Sequence, residues 1–207
     1  VIGGSVERVN VRSAGEAFGE FQMLLADFDA QQLYVTIPDF HDTRKRYQKL
    51  LADVAEDPMG MAAQVAEEVE WLKSVQEQAC RLTDLYEAGQ LPLRVTHNDT
   101  KINNVLFQPN GNQAIVVIDL DTVMPGLVGH DFGDAIRFAA NYVEEDSPEA
   151  EKAGVDMEVF RAFTQGFLKH TAATLTQQEV DTLALSCFAL TCELATRFLY
   201  RLIEEQQ

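Results

Sequence analysis

Apolar residues recur at helical spacing over most of this chain and change to strand-like runs only near its middle. Ser13 and Glu16 form a capping box, and Phe18, Phe21, Leu25 and Phe28 behind it predict a helix to about Asp27. Before it, Val6 to Val11 is β-like, so residues 1–12 read as a connector and residues 13–207 as the main body. In Ile37-Pro38-Asp39-Phe40-His41-Asp42-Thr43 the proline forces an extended approach, and Asp42 or Thr43 can cap the helix that follows. That helix carries Tyr47, Leu50, Leu51 and Val54 and stops before Asp57-Pro58. Val65, Val69, Leu72, Val75, Leu82 and Leu85 then predict one long helix from Met61 to Ala88, with Gly89 just past its end.

The middle of the chain holds three short β-like runs: Leu93 to Thr96, Val105 to Phe107 and Ala114 to Ile118. Asn110-Gly111 predicts a hairpin between the last two. A loop with Pro125, Gly126 and Gly129 leads to a helix from about Asp131 to Tyr142, and an acidic loop with Pro148 follows. Asp156 can cap a helix bearing Val159, Phe160, Phe163 and Phe167. Thr176 with Glu179 is a second capping box, and the final helix turns Val180, Leu183, Cys187, Leu190, Leu194 and Phe198 towards a core. Trp71 and the phenylalanines at helical spacing read as core residues. The fold class is α+β, mostly α, with a small β-hairpin at the edge that carries the chemistry.

Composition narrows the functional classes. At 207 residues the chain is one domain or two small lobes, and 46% hydrophobic residues suffice for a sizeable core. A formal net charge of −17 repels nucleic acid and anionic membranes and attracts cationic substrates or Mg²⁺-complexed nucleotides; simple solubility accounts for it equally well. The three cysteines, Cys80, Cys187 and Cys192, are odd in number and form no C-x-x-C. They read as buried free thiols in a reducing cytoplasm. No apolar run reaches the length of a membrane span, and no secretory signal opens the chain.

The chemistry concentrates in His97-Asn98-Asp99-Thr100-Lys101-Ile102-Asn103-Asn104, which follows one β-like run and precedes the hairpin. The hairpin's second run ends on Asp119-Leu120-Asp121. Strands thus carry a carboxylate, a lysine, an amide and two further carboxylates to neighbouring ends. This suits metal-assisted phosphoryl transfer, with a carboxylate for a hydroxyl proton, an amide and a carboxylate for Mg²⁺, and a cation for phosphate. The spacing H-x-D-x-x-x-x-N, with an Asp closing the hairpin, follows the catalytic-loop and metal-Asp order of protein kinases.

These residues resemble the aminoglycoside phosphotransferase and choline kinase-like family, small-molecule kinases with a protein-kinase-like fold. The stretches His97 to Asn104, Val117 to Gly126 and Gly129 to Arg137 look most like its N-acetylhexosamine 1-kinase branch. The resemblance implies a protein-kinase-like carboxy-terminal lobe for residues 13–207, Mg²⁺ and ATP as cofactors, and transfer to the anomeric hydroxyl of an N-acetylhexosamine. It makes Asp99 the catalytic aspartate, Lys101 the contact to the transferring phosphoryl group, and Asn104 and Asp119 the metal ligands. His97 braces the loop. Asp131-Phe132-Gly133 spells the protein-kinase metal motif, yet Asp131 lies a loop further on at a helix start, where its carboxylate can brace the catalytic loop. Asp121, two residues after Asp119 on an extended segment, shares its face and is either a substrate or second-metal contact or a loop cap. Arg197 faces the sugar pocket by resemblance, against a surface or ion-paired role, with Glu193 one turn earlier as a partner. His41 and His170 read as structural or solvated.

No G-x-G-x-x-G loop, no strand-borne lysine with a helical glutamate partner and no Walker A sequence precedes the motif. The expectation is that an amino-terminal lobe supplies these parts and that this chain alone is weak or inactive. Two other readings stand beside the sugar kinase. One is a choline-, aminoglycoside- or homoserine-type kinase, and the other an inactive kinase-like binding fragment. A small-molecule acceptor and a nucleotide are the expected partners, not nucleic acid or membrane.

Overall fold

Val9 and Val11, in the stretch that reads as β-like, fold as helix. In the computed structural model, which describes residues 8–109, 113–143 and 147–204, α1 spans Arg8–Leu24. Val11, Ala14 and Phe18 are fully buried at helical spacing, and this burial overrides the local β preference. The helix therefore begins before Ser13, whose hydroxyl instead accepts the Ala114 N–H at 2.8 Å. Residues 1–7 and the Asn110-Gly111 turn lie outside the described residues.

Asp42 caps α2 (Thr43–Glu56), accepting the Lys45 N–H at 2.9 Å. The single long helix expected from Met61 to Ala88 is a 3₁₀ turn (Ala62–Val65), α3 (Ala66–Ala79) and α4 (Arg81–Glu87). The break at Cys80 has a packing cause. Val69, Leu72 and Cys80 join a cluster with Tyr47, Leu50, Cys192 and Tyr200, whereas Leu82 and Leu85 join another with Leu91, Leu127 and Leu190. One straight helix could not face both. Gly89, at φ +70°, ends α4, and the N–H groups of Gly89 and Gln90 bond Tyr86 and Leu85 carbonyls in a Schellman pattern.

Four short strands follow among the described residues. β2 (Val105–Phe107) pairs antiparallel with β3 (Ala114–Val117) as the expected hairpin. β1 (Arg94–Thr96) pairs with β4 (Met124–Gly126), a segment that reads as loop because Pro125 and Gly126 are poor strand formers. In a two-stranded ribbon Pro125 needs no ladder N–H on its open side. Helices α5 (Val128–Ala139), α6 (Met157–Thr171) and α7 (Gln177–Glu204) complete the fold. Asp156 caps α6 through the Glu158 and Val159 amides. Thr176 and Glu179 form the expected reciprocal box, at 2.7 and 3.2 Å, and Glu179 also binds Arg94 at the start of β1.

α7 buries a more polar face than its apolar spacing suggests. Thr182, Ser186, Glu193 and Thr196 are buried with Leu183 and Leu190, while Phe198 is 48% exposed. Polar residues occupy the seam because they bond partners there or admit close approach. Trp71, 53% exposed, and Phe28, 43% exposed, are likewise not core residues. α7 is long and apolar enough by composition to cross a membrane, and it packs against α2, α3 and α5. All three cysteines are free. Burial pushes the Cys80 and Cys192 thiols up to about 11 and Cys187 up to about 12.

Helices α1 and α6 touch backbone to backbone, α1 through Gly15 and Gly19 and α6 through Gly166. A Cβ on Gly166 would lie 2.2 Å from the Arg12 carbonyl oxygen. Gly166→Ala must push the helices apart, so urea unfolding should show a loss of about 2 kcal/mol or more. An unchanged midpoint would mean that the crossing is not close.

Candidate active site

The loop after β1 is built almost entirely from side chains that bond backbone. Thr96 donates to the Met124 carbonyl at 2.9 Å and locks β1 to β4. Asn98 has φ +64°, a left-handed conformation that Asn tolerates better than most residues. Its amide donates to the Thr122 carbonyl at 3.0 Å and the Thr96 carbonyl at 3.3 Å. Thr122 returns a bond from its hydroxyl to the His97 carbonyl at 2.6 Å.

Asp131, in the first turn of α5, supports this loop from below. It is 1% exposed. Its carboxylate accepts the His97 N–H at 3.0 Å, the Asn98 N–H at 2.7 Å and the Gln22 amide at 2.6 Å. Burial raises its pKa, and the His97 and Asn98 N–H groups oppose that shift. One turn on, Asp134 accepts the Thr100 N–H at 3.0 Å and pairs with Arg137 at 2.9 Å. Gly133, the last residue of the Asp-Phe-Gly triplet, lets α5 approach α7: a Cβ there would lie 2.6 Å from the Ser186 carbonyl oxygen. The triplet thus serves helix packing and loop support, and nothing in its geometry exposes a carboxylate.

His97 is fully buried, with its ring edge-on to Phe18 and Phe21. Its Nδ1 accepts the Asp99 N–H at 3.3 Å, and its Nε2 donates to the Ile118 carbonyl at 2.9 Å, which sets the tautomer. The Ile118 N–H in turn donates to the Asn104 carbonyl at 2.9 Å. Ile118 is therefore gripped from both sides, and Asp119 next to it is held beside the loop.

Asp99 presents its carboxylate at the surface of this frame, with its side chain 28% exposed. Lys101 Nζ lies 3.1 Å from one of its oxygens. Asn104 Nδ2 donates to the other at 3.0 Å and to the Asp99 carbonyl at 2.8 Å. Because Asn104 spends its N–H groups on Asp99, its Oδ1 is directed away from them. Asp119 is exposed, and among the described residues no hydrogen bond or ion pair takes its carboxylate. An amide oxygen and a carboxylate are hard donors that suit Mg²⁺, which keeps waters and substrate phosphates for the rest of its shell.

Two expectations change. Asp119 has φ +63° and Leu120–Thr122 form a 3₁₀ turn, so Asp119 and Asp121 do not share one face of an extended strand. Glu193 does not pair with Arg197: its two oxygens meet His41 Nδ1 at 3.0 Å and the Thr43 hydroxyl at 3.1 Å. Arg197 is half-buried, and its Nε has no hydrogen-bond partner among the described residues. Burial and the neighbouring Arg46 and Arg201 lower its pKa. Gln22, Asp134 and the His41–Glu193 pair escape the sequence reading. Asp134 alone leaves a local sign, three residues after Asp131 on one helix.

A sequence model of the phosphotransferase enzyme family known as APH matches residues 2–166. The chain belongs to this phosphotransferase family. A crystal structure of choline kinase from Cryptosporidium parvum shares the fold of this phosphotransferase-family chain, with a TM-score of 0.52 at 16% identity. The match covers 97% of this chain and 60% of the choline kinase, so the chain spans about three-fifths of that protein's length. The mostly helical architecture with two small sheets is thus a kinase-like fold.

Proposed function

We propose that this protein transfers the γ-phosphoryl group of ATP to a hydroxyl of a small molecule, and that the acceptor is the anomeric hydroxyl of an N-acetylhexosamine. The observation that carries the reaction class is the Asp99 carboxylate, oriented by Lys101 on one oxygen and Asn104 on the other. Asp99 holds the acceptor hydroxyl and takes its proton as the new O–P bond forms and the bond to the leaving ADP breaks. Fixing the hydroxyl is its larger contribution, with proton transfer late. Lys101 offsets charge on the transferring group. Asn104 and Asp119 would hold Mg²⁺, which supplies charge neutralisation at the phosphate oxygens when bound.

The sugar acceptor is supported by the Ile118-Asp119-Leu120-Asp121-Thr122-Val123-Met124-Pro125-Gly126 resemblance and by Arg197, whose buried Nε–H has no acceptor among the described residues. A choline-type amino alcohol is the second reading. The net charge of −17 and the likeness in fold to a choline kinase favour it. A coupled ADP assay of the intact protein across N-acetylglucosamine, N-acetylgalactosamine, choline, homoserine and kanamycin separates the two. Turnover is expected with an N-acetylhexosamine. Turnover confined to choline or kanamycin would sink the sugar acceptor, and none with any acceptor would sink the phosphotransfer reading for these substrates.

A further inference from the structure

His41 lies just before α2, far in sequence from the catalytic loop, yet it touches that loop. Its Nδ1 is 3.0 Å from Glu193 Oε1 on α7, and its Nε2 is 3.4 Å from the Asn98 carbonyl oxygen. Both neighbours are acceptors. A neutral imidazole carries one N–H and serves only one of them, whereas an imidazolium serves both. Glu193 is 6% exposed and accepts the Thr43 hydroxyl on its second oxygen, so both of its oxygens are engaged.

The other groups facing His41 agree. On α5, His130 has its ring centroid 4.7 Å from that of His41, and its Nδ1 accepts the Leu127 N–H. Burial and the His41 charge hold the His130 pKa well below 6.5, so it stays neutral. Asp134, also on α5, adds attraction. Burial alone lowers the His41 pKa, but the charge and hydrogen bond of Glu193, with Asp134 and the Asn98 carbonyl, outweigh it and raise it above 6.5.

The Asn98 carbonyl and the Asp99 N–H belong to one peptide unit. Its carbonyl end meets His41, and its N–H end donates to His97 Nδ1 at 3.3 Å. The peptide that leads into Asp99 is therefore gripped at both ends by imidazoles, one donating and one accepting. It follows a residue with φ +64°, a conformation that persists only where surrounding contacts over-determine it.

We propose that His41, as an imidazolium held by Glu193, is a positioning residue that fixes the Asn98–Asp99 peptide and so the direction of the Asp99 carboxylate. The kinetic consequence rests on the phosphotransfer reading above; the clamp itself does not. Because the folded pKa is raised, the clamp is complete below the ordinary histidine value and is lost as pH rises through the folded value.

Nitrogen-15 spectra of the His41 ring and the Asp99 amide test the clamp directly. Both ring nitrogens should be protonated below the ordinary histidine value, and Glu193→Gln, which keeps its shape, should lower the His41 midpoint. The Asp99 amide should titrate with His41 in the wild type and not in His41→Gln. In the intact protein His41→Gln should lower kcat by about 10- to 100-fold with little change in the KM for nucleotide. Glu193→Gln should move the alkaline limb of the kcat profile to lower pH, which a merely structural role would not do. A His41 midpoint that Glu193→Gln leaves unmoved, or an Asp99 amide blind to the His41 titration, overturns the proposal. A coupled titration without any turnover would uphold the clamp and sink the phosphotransfer reading.

Discussion

Asp99→Asn should lower kcat in the intact protein by about 10²- to 10⁴-fold while the unfolding midpoint stays close to wild type. The two halves of this expectation have separate causes. The carboxylate is the only acidic oxygen pair that the loop presents with a cation on one side and an amide on the other, at 3.1 and 3.0 Å. Asparagine keeps the shape and one oxygen for the Asn104 amide but cannot take a proton at working pH. The fold has little at stake. The side chains of Asp99 and Lys101 are 28% and 37% exposed, and a pair that wet contributes at most about 1 kcal/mol. A coupled ADP assay with a thermal melt checks both halves. Activity within a few-fold of wild type would show that Asp99 is not the base.

Much of this site is legible in sequence because its parts are local. Asp99, Lys101 and Asn104 lie within one turn-like stretch, and Asp119 follows near the end of a hairpin whose strands pair as expected. The helix caps at Asp42, Asp156 and Thr176 are local as well, since each is completed within three residues. What escapes is held together by long-range partners. β4 is a strand only because Thr96 and Val95 wait for it, and Pro125 conceals it. Cys80 breaks a helix whose apolar period runs straight through, because two core clusters demand two directions. The buried stripe of α7 is polar because Ser186 lies under Gly133 and Glu193 reaches His41, 152 residues away. No window of sequence contains both members of such a pair.

The same distinction between local and long-range roles decides which aspartate does what. Asp131→Ala should destabilise the fold by about 3 kcal/mol or more, because it strands the buried N–H groups of His97 and Asn98 and the Gln22 amide, each worth roughly 1–3 kcal/mol when left unmade. Relief of the burial that raises the Asp131 pKa returns part of this, but one desolvation gain does not offset three orphaned donors. The loss should concentrate at the loop, so hydrogen exchange at the His97 and Asn98 amides should quicken more than elsewhere. Asp119→Asn should do the reverse. Its side chain is exposed, asparagine tolerates the left-handed backbone at φ +63°, and no partner among the described residues is lost. Urea midpoints should then be unchanged while Mg²⁺-dependent turnover falls away. Were Asp131→Ala to fold as wild type with altered Mg²⁺ dependence, and Asp119→Asn to leave that dependence intact, the metal would belong to the Asp-Phe-Gly carboxylate after all. Three donors within 3.0 Å of a carboxylate buried to 1% argue for the first outcome, since an oxygen engaged by backbone amides has little left for a cation.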